Sequence, residues 1–359
     1  MKYKIHIIGG ALMLSSLSGY AQEITDTTVV NVAYGVQSSK TQSAAISTVK
    51  GERLMEITSP TVGNSLKGML PGLSILQKSG EPGYDFYMEN MFTRGVSSFN
   101  SKQQMLVFVD GFEAPLDNIS AEEIESVSLL KDAAALAIYG SRGANGVLLI
   151  TTKKGYHSSP KIGFRMQTGI QMPTIMDTPM DAYNYARLYN QALENDGKAA
   201  LYTNEALAAY QSGSNQYLYP NVNWKNQLYK NTTPLTMGEL SFRGGGGGLN
   251  YYVMAGLMHN DGIYRGTDSK QRENANVNYA RYNFRANLDV DITKYFRTFL
   301  YSGVSFAEKT TPGAGGADDY LKSVWTTPPN AFPVYNPNGS FGGTSLYTNP
   351  VANLLNRGL

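Results

Sequence analysis

The sequence predicts a small mixed α/β domain followed by antiparallel strands of a membrane-spanning β-barrel, with the barrel incomplete. Three observations carry this. Residues 282–291 alternate strictly, with Tyr282, Phe284, Ala286, Leu288 and Val290 interleaved with Asn283, Arg285, Asn287, Asp289 and Asp291. Such a strand has one apolar and one strongly polar face, as a strand between lipid and a wet lumen requires. No apolar run reaches the roughly 18 residues of a membrane helix, so any crossing is made by strands, whose backbones are satisfied in lipid only in a closed barrel. The composition agrees: 16% charged residues against about 25% in ordinary soluble domains, with 25 Tyr, 37 Gly and only 2 Trp among 359 residues. The alternation alone equally fits a strand whose apolar face packs on a soluble core.

The N-terminus reads as an address. Lys2 and Lys4 precede a mostly apolar stretch from Ile7 to Leu17, and Ser18-Gly19-Tyr20-Ala21 places small residues before a cut after Ala21. This is the layout of a secretory signal peptide over residues 1–21. The remainder carries 28 basic and 28 acidic residues, which argues against nucleic acid as a partner. The absence of cysteine excludes disulfides, thiol catalysis and thiolate metal sites.

Residues 35–155 form the mixed domain. Ser47–Lys50, Met105–Val109, Ser126–Leu130 and Val147–Thr152 read as strands rich in β-branched and aliphatic residues. Thr61–Met69 reads as a helix stopped by Pro71-Gly72. Asp110-Gly111 is a turn. Ser120-Ala121-Glu122-Glu123 is a capping box, and Asp132 caps a helix that Gly140 ends. Gly143-Ala144-Asn145-Gly146 is a tight turn in which Gly143 and Gly146 are expected at positive φ. The run around Arg142, from Gly140 to Gly146, superficially matches a phosphate loop, but it follows a helix and opens a strand, the reverse of a dinucleotide loop.

Residues 156–359 read as about five strands with long connections. Lys161–Gln171 is the first. Thr236–Arg243 and Leu249–His259 form a hairpin around Gly244–Gly248. Lys294-Tyr295 turns into Phe296–Phe306, where apolar residues occupy both faces and leave the lipid side open. Thr178–Ala209 is expected to be helical, in a loop or a periplasmic insertion. Thr310–Asn349, rich in Pro, Gly, Tyr and Asn, reads as a surface loop. Five strands fall short of the eight or so of the smallest bacterial barrels and the roughly 22 of plugged transporters, so the chain alone is not expected to transport.

No residue pattern predicts an enzyme or a cofactor. His157 and His259 lack partners at ligand spacing, and the acid pairs Glu122-Glu123 and Asp318-Asp319 read as solvated charges.

Longer stretches carry a family resemblance. SVSLLKDAAALAIYGSRGANGVLLITTKKG (Ser126–Gly155) is very similar to the end of the plug domain of SusC/RagA-type TonB-dependent outer-membrane transporters. MLVFVDG (Met105–Gly111), SLKGMLPGLSI (Ser65–Ile75), SGEPG (Ser79–Gly83) and VAYGVQSSKTQSAAISTVKGERL (Val32–Leu54) resemble its earlier parts, in order, over about 120 residues. LNYYVMAGLMHNDGIYRG (Leu249–Gly266) resembles early barrel strands of the same family.

The resemblance implies an outer-membrane importer of oligosaccharide or peptide in a Gram-negative, Bacteroidetes-like bacterium. It also implies a SusD-like surface lipoprotein as partner, and energy from the TonB complex. In the family a segment before the plug is gripped by TonB through strand addition. The candidate within residues 22–34 is Thr28, Val29, Val30, Asn31, Val32 and Ala33, a stretch that reads equally as a first plug strand. Asp110, Gly111, Asp132, Gly140, Arg142, Gly143, Asn145 and Gly146 match the plug's structural motif. The alternatives are a surface protein that binds or adheres without transport, and a non-functional truncated paralogue.

Overall fold

The computed structural model describes residues 29–32, 35–38, 44–77, 79–83, 90–96, 104–174, 178–265, 276–311 and 322–356. The signal-peptide stretch, Thr28, Ala33 and Asp318-Asp319 lie outside these residues.

The first part is built on a five-stranded mixed sheet. In chain order its elements are β1 (Val29–Val32), β2 (Gly35–Ser38), β3 (Ile46–Lys50), α1 (Gly51–Met55), α2 (Val62–Ser65), β4 (Leu73–Ile75), β5 (Met91–Thr93), β6 (Leu106–Val109), β7 (Phe112–Glu113), β8 (Ile124–Leu130), α3 (Ala133–Leu136) and β9 (Val147–Thr152). The sheet order is β3-β8-β9-β6-β7, while β1-β2 and β4-β5 are separate hairpins. Only the β6–β9 pair is parallel. Both faces of β9 are covered: Leu148 and Ile150 join the main core with Val49, Leu54, Leu66 and Leu129, while Val147 and Leu149 pack on the other side with Leu106 and Leu130. This explains why β9 reads as an unbroken apolar run.

Local chemistry fixes the turns. Asp110 and Gly111 have φ of 48° and 91°, the pair of positive values that a two-residue hairpin turn between β6 and β7 needs. The helix expected over Thr61–Met69 is confined to Val62–Ser65 and continues as turns. The capping box at Ser120 forms as expected but opens a single 3₁₀ turn, Ala121–Glu123, before β8. Gly146 has φ 100°, and a Cβ there would lie 2.1 Å from Thr93 Oγ1. Gly143 differs from expectation. It is not at positive φ, and its constraint is space, because a Cβ would meet Tyr139 Cβ at 2.8 Å. The second positive-φ glycine of this turn is Gly140, at 60°.

The second part is an antiparallel meander of β10 (Ser158–Gln171), β11 (Thr233–Gly246), β12 (Leu249–Asp261), β13 (Asn278–Thr293) and β14 (Phe296–Thr310), in sequential order. These five strands form an open sheet of 13 to 16 residues per strand, longer than the roughly 9–11 that cross a hydrocarbon layer. The glycine run is mostly strand. Gly244–Gly246 pair with Tyr251, Asn250 and Leu249, and only Gly247-Gly248, at φ 63° and 89°, make the turn. A Cβ on Gly245 would meet Asn250 Oδ1 at 2.0 Å, so small residues are needed inside the ladder as well as at its tip.

The expected surface loop after β14 is instead part of a folded lobe. Helices α4 (Ala182–Asn195), α5 (Asn204–Ser212) and α6 (Trp224–Leu228) occupy the β10–β11 connection; α4 and most of α5 fall within the expected helical stretch, and α6 lies beyond it. Trp224 and Leu228 pack with Tyr264 and Val277 of the β12–β13 connection and with Phe332, Val351 and Leu354 after β14. Trp224 Nε1 donates to Pro328 O at 3.2 Å. Individual Pro and Gly residues suggested irregular chain, but aromatic side chains from three distant segments supply a shared core. Within that core burial pushes the Tyr229 hydroxyl up to about 12, and its oxygen has no hydrogen-bond partner among the described residues.

Two outcomes follow. Tyr229→Phe removes a buried, unpaired polar atom and should leave the protein as stable or raise it by about 1 kcal/mol, read as an unchanged or higher Tm of the detergent-solubilised full chain. Asp132 accepts from Ala45 N at 2.7 Å and Ala135 N at 2.9 Å, and these backbone donors hold its carboxyl below the usual range. Asp132→Ala should therefore cost about 1 kcal/mol at neutral pH. A depressed folded-state pKa gives stability present above the ordinary carboxylate range and lost below it, so variant and parent should converge only as the pH falls below that range, through the lowered pKa of Asp132.

Candidate functional site: the plug–wall interface

The five-stranded wall has its burial inverted relative to a soluble sheet. Along β13 the polar residues are covered, with Asn283 3%, Arg285 8% and Asn287 1% exposed, while Tyr282 and Phe284 are 47% and 49% exposed. An apolar face on a soluble core is thereby excluded. Registered rows extend the pattern across the sheet, since directly opposite residues share a face. Phe164, Leu240, Ala255, Phe284 and Val304 form one outward row, and Arg165, Glu239, Gly256, Asn283 and Ser305 the adjacent inward row. The register also settles β14. Leu300, Val304 and Phe306 pair with Leu288, Phe284 and Tyr282 and face outward, whereas Tyr301 and Gly303 pair with Asn287 and Arg285 and face inward.

The inward face meets the first domain through a polar network centred on Glu123. Its carboxylate accepts from Ser120 N at 3.0 Å, from Asn283 Nδ2 at 3.0 Å and from Arg285 Nε. Arg285 Nη1 lies 4.0 Å from Asp110 Oδ2. Asp110 in turn accepts from Thr152 N at 3.0 Å and Thr152 Oγ1 at 2.5 Å. Asn287 Nδ2 donates to Thr152 Oγ1 at 2.7 Å and Lys153 O at 2.8 Å. Thr152 thus uses its hydroxyl both as donor and as acceptor. A charge removed from water is tolerable only with such partners.

Around this centre the bonds continue. Glu122 pairs with Lys153 at 2.8 Å, and Tyr252 Oη donates to Glu122 O at 3.1 Å. Ser120 Oγ donates to Glu239 at 2.5 Å, and Arg281 Nη1 to Asp117 O at 2.6 Å. At the far end of β14, Lys309 pairs with Glu81 at 3.0 Å and donates to Gly83 O at 3.2 Å. The reading of Glu122-Glu123 as solvated charges is therefore corrected: Glu123 is 1% exposed, and both acids are held by partners. The capping box that binds Glu123 to Ser120 was legible, but its second partner lies 162 residues along the chain.

The residues singled out from sequence divide between two places. Asp110 belongs to the network, with Gly111 beside it in the turn. The others bond within the domain: Asp132 caps α3, Arg142 pairs with Glu113 at 2.5 Å in an exposed bridge, Asn145 Nδ2 reaches Gln104 O at 3.4 Å, and Gly140, Gly143 and Gly146 shape the turn before β9. Of the segment before the plug, Val29–Val32 form β1, paired with Gly35–Ser38 and approaching β8 and β9. His259 Nε2 lies 3.2 Å from Asp261 Oδ1, and among the described residues no three acidic, His or Cys side chains group as a metal site. Arg281, Asn283, Arg285 and Glu239, the wall side of the network, were missed as individual site residues. For Asn283 and Arg285 the signal was the polar phase of the alternation; Arg281 and Glu239 lie outside residues 282–291, which carry it.

An antiparallel wall with lipid-type residues outside, polar residues inside and an α/β domain bonded to the polar side is the arrangement of part of a plugged β-barrel. Residues 38–147 match the TonB-dependent Receptor Plug Domain. TonB-dependent receptor P26 of Formosa agariphila is 28% identical over 342 residues, covering 91% of this chain and 31% of its own length. TonB-dependent receptor SusC of Bacteroides thetaiotaomicron is 27% identical over 285 residues, covering 76% of this chain and 26% of its own. The RagAB peptide importer in its closed-closed state superposes with a TM-score of 0.65 at 25% identity over 86% of this chain and 35% of that one. The chain is thus similar to SusC/RagA-like TonB-dependent receptors, and it spans about a third or less of the length of these relatives.

Removing one partner of a buried ion pair costs about 3–5 kcal/mol, because the other charge stays buried alone. Arg285→Met should therefore markedly lower the Tm of the solubilised full chain. The double variant Arg285→Met with Glu123→Gln should recover part of that loss. Equal losses in the single and double variants would show that the pair is not coupled.

Proposed function

We propose that the protein takes part in energy-coupled import of a polar nutrient, an oligosaccharide or a peptide, across the outer membrane of a Gram-negative, Bacteroidetes-like bacterium. The observation that carries the reading is the inverted wall bonded to the plug: a sheet whose apolar face is exposed and whose polar face is occupied by a separate domain. The wall's short turns, Gly247-Gly248 and Lys294-Tyr295, lie at one end, and its long connections lie at the other. Outer-membrane barrels keep short turns on the periplasmic side and long loops outside. The plug enters β10 at the short-turn end, where Ser158 pairs with Gly245, so in this orientation the helical lobe faces the exterior.

In the proposed cycle TonB adds a strand to the segment Thr28–Ala33, whose described part, β1, pairs with β2 along one edge. Backbone hydrogen bonds supply affinity, as in other strand additions. Tension on that strand then displaces the plug from the polar wall. The plug–wall bonds are numerous, directional and individually modest, which suits a contact that holds at rest and is remade after each cycle. A SusD-like surface lipoprotein at the outer mouth fits the same reading.

Val30→Pro tests it, because proline removes a backbone donor and bars strand addition. In the full chain, with the amount of protein in the outer membrane unchanged, uptake of the cognate oligosaccharide or peptide should be lost. Normal uptake would overturn the assignment of this segment. Normal uptake in cells that also lack TonB would overturn coupled import altogether.

A further inference from the structure

Antiparallel hydrogen bonds run at right angles to the strands, so the registered rows of the wall give a ruler across it. On β10 the exposed apolar residues of the outward face run from Ile162 through Phe164 and Met166 to Ile170. On β14 they run from Phe296 through Leu300 and Val304 to Phe306. The two spans are about 9 and 11 residues long, the length that a tilted strand needs to cross the hydrocarbon layer.

These two bands do not lie opposite each other. Ile162, the inner end of the β10 band, shares its row with Ser302, and the β14 band continues inward from there to Phe296. Phe306, the outer end of the β14 band, shares its row with Met166, and the β10 band continues outward from there to Ile170. The displacement averages about five residues, or about 16 Å, over four strand spacings of about 4.8 Å each. That slope corresponds to strands inclined by about 40° to the bilayer normal, within the range of outer-membrane barrels.

Two independent features slope the same way. Leu249 follows the Gly247-Gly248 turn directly and pairs with Val290, yet β13 continues to Thr293 before it turns at Lys294-Tyr295. The inner turns thus step inward from β12 to β13, as the inner edge of the band does. At the outer edge, the row of Thr168 carries His259 and Glu308, and the next row carries Asp261 and Thr310. Ionised groups are therefore reached on β12 and β14 at a level where β10 still presents Ile170. A carboxylate does not stay in hydrocarbon without a partner.

We infer that membrane hydrocarbon covers this wall along an oblique band, bounded by Ile170 and Phe306 at its outer edge and by Ile162 and Phe296 at its inner edge. His259, Asp261 and Glu308 then stand among the outer headgroups. Lys294 and Tyr295 stand among the inner ones, with Lys294 Nζ 4.9 Å from the centre of a ring that is 86% exposed. There both an ammonium and a phenol reach water while their apolar parts stay against the acyl chains. This rests on the outer-membrane part of the import reading and adds to it the depth and tilt of the wall.

The test places single nitroxide-labelled cysteines in a cysteine-free full chain, inserted in vesicles of phosphatidylcholine and phosphatidylglycerol. Collision with oxygen, which concentrates in hydrocarbon, is compared with collision with a neutral water-soluble nickel chelate. Thr168→Cys and Glu308→Cys share one row, and Ile162→Cys and Ser302→Cys share another; all four positions are exposed. The oxygen-to-nickel ratio should be several-fold higher at 168 than at 308, and several-fold higher at 302 than at 162. Equal ratios within both pairs would overturn the oblique band. If a variant of the outer pair does not insert, Ile170→Cys against Thr310→Cys reads the same edge. Water-like ratios at every position, Phe284→Cys included, would remove the membrane reading together with the band. Coupled import is judged separately, since the uptake of Val30→Pro does not alter where the labels lie.

Discussion

A strand that covers its arginines and shows its phenylalanines to the surroundings is stable only when two solvents are arranged around it. β13 needs hydrocarbon on the side of Tyr282 and Phe284 and a structured polar partner on the side of Asn283, Arg285 and Asn287. The plug supplies the second condition. Glu123, pre-bound by its own capping box, presents both carboxylate oxygens to the wall, and Arg285 is held between it and Asp110. The domain and the wall are thus halves of one polar core, and neither half's buried charges are satisfied without the other. Continuum reasoning gives such pairs little net stabilisation over an apolar isostere. What they provide is a fixed seating that apolar side chains would not specify.

The sequence was most informative where a short-range rule decides the structure. Both turn residues at Asp110-Gly111, the capping box at Ser120, the cap at Asp132 and the strand phase of Tyr282–Asp291 could be read locally because each depends on neighbours within a few residues. Failures arose where distant chain segments set the outcome. The Thr61–Met69 helix is cut to the single turn Val62–Ser65, with Val62 and Leu66 both drawn into the domain core. Gly143 answers to the Tyr139 side chain rather than to a dihedral requirement. The lipid side of β14 was ambiguous by itself, since Phe299 and Leu300 are both exposed, and only pairing with β13 assigns it.

The candidate site was legible in outline but not in members. Alternation revealed that β13 has a polar face, and that face proved to be the plug contact. It could not say that Glu123, in an apparently ordinary cap, would be the group waiting there. Long-range charge complementarity has no period to detect. It shows only as a domain of balanced charge with few ionisable residues, in which a large part of those present must be placed against one another.

The outer lobe has a consequence for how its parts move and vary. Trp224, Tyr264, Phe332 and Leu354 come from three separate connections, yet they share one apolar core. Opening any one connection exposes the side chains of the other two, so the lobe behaves as a single cooperative unit with one opening free energy rather than as three independent loops. Drift in any one of these connections is then constrained by the other two, and substitutions that reshape the lobe are expected to accumulate in coordinated sets across segments well separated in the chain.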